Sequence, residues 1–112
     1  MSTNINKVKC SIAIDAMGGD FAPHNAVVGA IEAFNEAKDF DLFLVGKTDE
    51  IEEVIKKNNL KFNSDFIVHA DQVVDMHDHP TETMKTKPNS SMAVGAKLVK
   101  DGKAHAFVSA GN

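Results

Sequence analysis

Arginine, tryptophan and tyrosine are absent from the 112 residues, which contain one cysteine and three prolines. Each absence excludes something. Without arginine there is no planar guanidinium fork to read guanine or to hold a phosphate bidentately. Twelve lysines stand against 16 acidic residues, a net charge of -4, so there is no basic excess either, and nucleic acid is not an expected partner. A lone cysteine, Cys10, cannot form an internal disulfide, which matches a reducing cytoplasm and excludes a disulfide scaffold. No apolar run approaches the roughly 18 residues of a membrane span. Residues 1–7 are polar, have no apolar segment of the signal-peptide kind, and read as a flexible leader. What is present is ordinary for a globular protein: 43% hydrophobic and 25% charged residues, in a length that suits one domain with a core.

Strand and helix patterns alternate along the chain. Residues 8–16 predict a strand covered on both faces, because Ile12, Ala13 and Ile14 are consecutive apolar residues. Cys10, early in that strand, is expected in or near the core. The strand ends in the turn Asp15-Ala16-Met17-Gly18-Gly19-Asp20. A helix follows over about 24–38: Ala26, Val27, Ala30, Ile31, Phe34 and Ala37 share a face, and Pro23 suits the first turn. Residues 42–45 predict a second buried strand, closed by Gly46. The next helix covers about 48–58, with Thr48 as N-cap, acidic residues early and Lys56 and Lys57 late, as the helix dipole prefers. Residues 66–68 predict a third strand. The stretch 71–87 is less regular, and Pro80 and Pro88 act as breakers. A helix then runs from Asn89 or Ser90 to about Asp101, with Met92, Ala96 and Val99 as its apolar stripe and Gly102 as its C′ residue. Residues 106–108 predict a fourth strand.

This alternation predicts an α/β fold: a mostly parallel sheet of about four strands, with right-handed crossovers and helices on both faces in three layers. A buried strand followed by Ser109-Ala110-Gly111-Asn112 ordinarily leads into another helix. The 112 residues therefore read as the N-terminal piece of a longer α/β protein, with 8–112 the first part of its domain.

In open α/β sheets ligands bind at the carboxyl ends of the strands, which directs attention to three loops. In the first, Gly18 and Gly19 let backbone N–H groups approach an anion at a helix start. Asp15 and Asp20 flank them and would repel that anion, and neither the dinucleotide fingerprint nor a P-loop is present. The alternative is a tight turn whose aspartates accept backbone N–H bonds. In the second, Lys85, Lys87, Asn89, Ser90 and Ser91 gather before a helix, a composition suited to a phosphate or phosphopantetheine. The alternative there is an N-cap with two surface lysines. In the third, Ser109, Gly111 and Asn112 follow a buried strand. Ser109 has no evident base partner, because His105 lies four residues back on the same strand, so a Ser-His-Asp arrangement is a poor reading. Asp75-Met76-His77-Asp78-His79 has the composition of a metal site but no zinc spacing, and a solvated loop is the better reading. No partner is evident for His24 or His69.

The string from Ile12 to His24, Ile-Ala-Ile-Asp-Ala-Met-Gly-Gly-Asp-Phe-Ala-Pro-His, resembles the opening of the phosphate acyltransferases of the PlsX type. Further blocks agree in order and spacing: Leu44-Val45-Gly46; His69-Ala70 leading to Val73-Val74-Asp75-Met76 and Pro80-Thr81-Glu82; Lys87 leading to Ser90-Ser91-Met92; and Val108-Ser109-Ala110-Gly111-Asn112. The resemblance runs from about Val8 to the last residue and corresponds to the first third of the family's length. It departs from the family pattern at Lys85, where arginine is usual, at Thr83 and Pro88, and over His77-Asp78-His79.

The resemblance implies a fold like that of the isocitrate and isopropylmalate dehydrogenases. It implies transfer of a fatty acyl group from acyl carrier protein to inorganic phosphate, giving acyl phosphate for bacterial phospholipid synthesis. It also implies a homodimer at full length; the chemistry itself reads as positioning catalysis, with no cofactor and no metal expected. The location would be cytoplasmic, with peripheral membrane association as a further expectation, and a membrane glycerol-3-phosphate acyltransferase would use the product. Matched onto this sequence, the substrate-binding positions are Asp15, Gly18, Gly19, Asp20, Ser90, Ser91, Ser109 and Gly111, and the catalytic candidates are Lys87 and Asn112. The 112 residues alone are expected to be inactive. The alternatives are a related phosphotransacylase or dehydrogenase-like enzyme of the same superfold, or a non-catalytic anion-binding module.

Overall fold

The computed structural model describes residues 10–72 and 87–110. Strand β1 (Cys10–Asp15) is followed by helix α1 (His24–Ala37), strand β2 (Phe40–Gly46), helix α2 (Thr48–Lys57), strand β3 (Ile67–His69), helix α3 (Ser91–Lys100) and strand β4 (Ala106–Val108). The strands form one sheet in the order β3-β2-β1-β4, and every pairing is parallel. Ile12 lies opposite Leu42 on one side and Ala106 on the other, so β1 is a central strand.

The consecutive apolar residues of the strands divide between two faces, as side-chain alternation requires. Leu42 and Leu44, with Ile14, pack against Val27 and Ile31 of α1 and Ile51 and Val54 of α2. Ala13 and Val45, with Phe43 and Phe107, pack against Leu98 of α3 and against Ala70 and Ala104. The sheet is thus covered on both faces, as predicted, and the layers are α1 with α2, the sheet, and α3. Burial on both sides is also why the strands lack the apolar–polar alternation of a half-solvated sheet.

The helix ends hold the finer departures. Pro23 is the residue before α1, not part of its first turn, and its carbonyl accepts the Val27 N–H at 3.0 Å. Thr48 is the first residue of α2 and Lys47 takes the cap position. The Thr48 hydroxyl is engaged instead with His69 Nδ1 at 2.9 Å, which supplies the partner that the sequence did not reveal for His69. Phe66 belongs to a short 3₁₀ turn (Ser64–Phe66) and β3 begins one residue later. Cys10 is exposed, contrary to expectation, because it is the first residue of β1, at the amino edge of the sheet and away from the two core clusters.

Helix α3 is rotated relative to the predicted stripe. Its buried residues are Ser91, Ala93, Gly95 and Leu98, whereas Val99 is 37% exposed. Shape explains the rotation. A Cβ on Gly95 would overlap the Phe107 ring, so the glycine face is the one that lies flush on the sheet. Ser90 caps the helix by accepting the Ala93 N–H at 3.1 Å, and Gly102, at φ +79, follows Asp101 in the expected left-handed C′ position.

Two glycine substitutions should therefore have opposite signs. Gly95→Ala gains helix propensity but drives a methyl into Phe107, and should destabilise by about 1–3 kcal/mol. Gly29→Ala, in α1 with nothing within 4 Å of the added carbon, should stabilise by about 0.5–1 kcal/mol. Urea midpoints of the two variants against the parent check both; a shift in the same direction would refute the packing account.

Candidate functional site

Because β1 and β4 are neighbours and parallel, the residues that leave β1 face those that leave β4. Asp15, the last residue of β1, is only 6% exposed. Its Oδ2 accepts a hydrogen bond from Ser109 Oγ at 2.8 Å, and its Oδ1 accepts the Met17 N–H at 2.9 Å. The second bond shapes the turn, as the tight-turn reading predicts for an aspartate there. The first joins two loops 94 residues apart in sequence. Ser109 therefore has an acidic partner after all. It comes from the adjacent strand, where no local spacing could reveal it.

Gly18 packs directly against this pair. A Cβ there would lie 2.9 Å from Ser109 Oγ, 3.1 Å from Asp15 Oδ2 and 3.2 Å from the Ala110 nitrogen. Gly19 is needed for a different reason: its φ of +93 is strained for any side chain. Asp20 is exposed. The first and third loops thus form one corner at the carboxyl edge of the sheet, containing Asp15, Gly18, Gly19, Ser109 and Ala110. His105 takes no part. Its Nδ1 accepts the Ser11 N–H at 2.9 Å, near the amino end of β1.

The second loop lies at the start of α3. Gln72, just beyond β3, bridges to Ser90; the Gln72 N–H donates to the Asn89 carbonyl at 3.1 Å, and Gln72 Oε1 accepts the Asn89 N–H at 2.9 Å. These bonds hold the helix start beside the outgoing end of the sheet. Ser90 is fully buried and its hydroxyl serves as the helix cap, while Ser91 is 3% exposed and Lys87 is half-buried. The N-cap chemistry anticipated at this position is what forms. Gly111, Asn112, Lys85 and the segment from Asp75 to His79 lie outside the described residues. Among the described residues no group of three metal-ligating side chains occurs, and no helix is long and apolar enough to cross a membrane.

The Asp15–Ser109 bond should contribute to stability as well as to the shape of the corner. Ser109→Ala leaves a buried carboxylate oxygen without its donor and should cost about 1–2 kcal/mol; Asp15→Ala strands two donors and should cost more, about 2–3 kcal/mol. Denaturant unfolding measures both, and equal midpoints for Ser109→Ala and the parent would show that the bond adds nothing to the fold.

The comparisons with known proteins point in one direction. A phosphate acyltransferase of Dictyoglomus turgidum is 44% identical over 101 residues, covering 90% of this chain and 30% of the relative. One from Acetivibrio thermocellus is 43% identical over the same shares, and one from Coxiella burnetii is 44% identical over 104 residues, 91% of this chain. The chain therefore spans about 30% of the length of the curated relatives it matches. The model of the family described as fatty acid synthesis protein matches residues 10–112, so that every residue carrying the corner and the start of α3 falls within it, and the chain belongs to that family.

Proposed function

We propose that this chain is the first part of a phosphate acyltransferase, which moves a fatty acyl group from acyl carrier protein to inorganic phosphate. The observation that carries the reading is the convergence of the glycine turn with Ser109 at the sheet edge where α/β proteins bind ligands, in a chain whose relatives bear that name. The whole reaction needs the remaining two-thirds of the protein, and a homodimer and acyl phosphate as product form part of the same proposal.

The chemistry asks for positioning more than for a protein nucleophile. A phosphate oxygen attacks the thioester carbonyl carbon, the carbon–sulfur bond breaks, and the leaving sulfur takes a proton as acyl phosphate forms. Phosphate already carries the nucleophile, so holding it in line with the carbonyl and stabilising the developing oxyanion supply the catalysis. The start of α3 suits the anion. Its first-turn amides and the helix dipole favour negative charge, Ser90 fixes the geometry of that turn, and Lys87 lies three residues before Ser90. Asn112 is the candidate donor toward a carbonyl or phosphate oxygen. The acidic corner at Asp15 is less suited to a dianion.

Lys87→Ala in the protein at the length of its relatives should weaken binding of phosphate or of the phosphopantetheine-bearing donor. A charge-assisted contact out of water contributes about 1.5–3 kcal/mol, roughly 10- to 150-fold in affinity, whereas a solvated lysine contributes close to nothing. Steady-state kinetics with both substrates varied decides the matter. If kcat and both KM values stay within about twofold of the parent, Lys87 is only a neighbour of the cap. Absence of phosphate-dependent thioester cleavage in the parent protein would overturn the reading itself.

A further inference from the structure

Of the seven phenylalanines, Phe21 alone is placed on the surface. Phe34 meets Phe40 and Phe62 edge-on, Phe43 packs with Phe66, and Phe107 lies under Gly95. Phe21 is 71% exposed. It sits between the glycine turn and α1, where its carbonyl accepts the Asn25 N–H at 3.2 Å. Beside it opens a shallow cavity of about 300 Å³. Gly18, Gly19, Ala22, Ala26 and Ala110 form the rest of its apolar wall, with Asp20 and Asn25 as its polar members.

We propose that this cavity receives the hydrocarbon chain of the acyl group, with Phe21 as its wall and a determinant of chain-length preference. The inference rests on the acyltransferase reading above and adds a subsite to it. Three observations carry it. The lining side chains other than Asp20 and Asn25 have no polar atoms, so those side chains offer dispersion and water release, which is all that a hydrocarbon requires. The charged group at the cavity is the Asp20 carboxylate, which repels phosphate and is indifferent to an alkyl chain. The cavity also borders the corner described above: Gly18, which packs on the Asp15–Ser109 pair, and Ala110, which follows Ser109, both line it.

The test uses the protein at the length of its relatives, as parent, Phe21→Ala and Phe21→Leu, with acyl donors of short and long chain. Phe21→Ala should raise the donor KM about five- to tenfold for a long chain and less than about twofold for a short one, with the phosphate KM unmoved and Phe21→Leu intermediate. Calorimetric titration with dodecanoate reads the same subsite without turnover, and Phe21→Ala should weaken that binding by a similar factor. Several results would overturn the proposal: a KM change equal for all chain lengths, a loss of thermal stability with unchanged donor kinetics (the ring is then covered by another part of the protein), or a loss of vesicle binding alone (the ring is then a membrane contact). Dodecanoate binding that is absent, or the same in parent and variant, would also overturn it. Loss of activity in the parent with dodecanoate binding still sensitive to Phe21 would instead reject the acyltransferase reading and leave the subsite standing.

Discussion

Parallel pairing gathers the carboxyl ends of all four strands on one edge of the sheet, and the candidate site depends on that constraint. An antiparallel β4 would carry Ser109 to the opposite edge from Asp15. With β1 held between β2 and β4, the loops that leave β1 and β4 have no choice but to face one another. The helices secure the arrangement from both sides, so both sheet faces are covered along the carboxyl halves of β1 and β2.

Within that frame the corner is built from mutually exclusive volumes. Asp15 turns inward because two donors await it, and Gly18 must lack a side chain because the carboxylate and the serine hydroxyl occupy the space where one would stand. The electrostatic consequence divides the edge. The corner carries buried negative charge, whereas the start of α3 offers amide dipoles with Lys87 nearby. The two ends of this edge therefore differ in the charge they present.

The strand and helix order was legible in the sequence because each pattern is local. Ile12-Ala13-Ile14 has the pattern of a strand with two covered faces, and the α1 stripe from Ala26 to Ala37 repeats at the helical period. What was not legible depended on partners far along the chain. Ser109 gained Asp15 from a neighbouring strand, Thr48 gave its hydroxyl to His69 instead of capping α2, and α3 turned a glycine face rather than its bulkier stripe toward the sheet. In each case a contact between remote residues outweighed the local preference. Of the site, the three loops were readable as loops at a ligand-binding edge; the pairing that joins the first to the third was not.

The 94-residue separation between Asp15 and Ser109 has a consequence for the order of assembly. β1 meets β2 after a single helical crossover, whereas it meets β4 only once nearly the whole chain has been drawn in. The entropy of loop closure grows with the length enclosed, and pairings remote in sequence are the slow ones. The β1–α1–β2 unit can therefore form while the corner does not yet exist. During synthesis, chemistry at that edge has to wait for the last described strand to arrive.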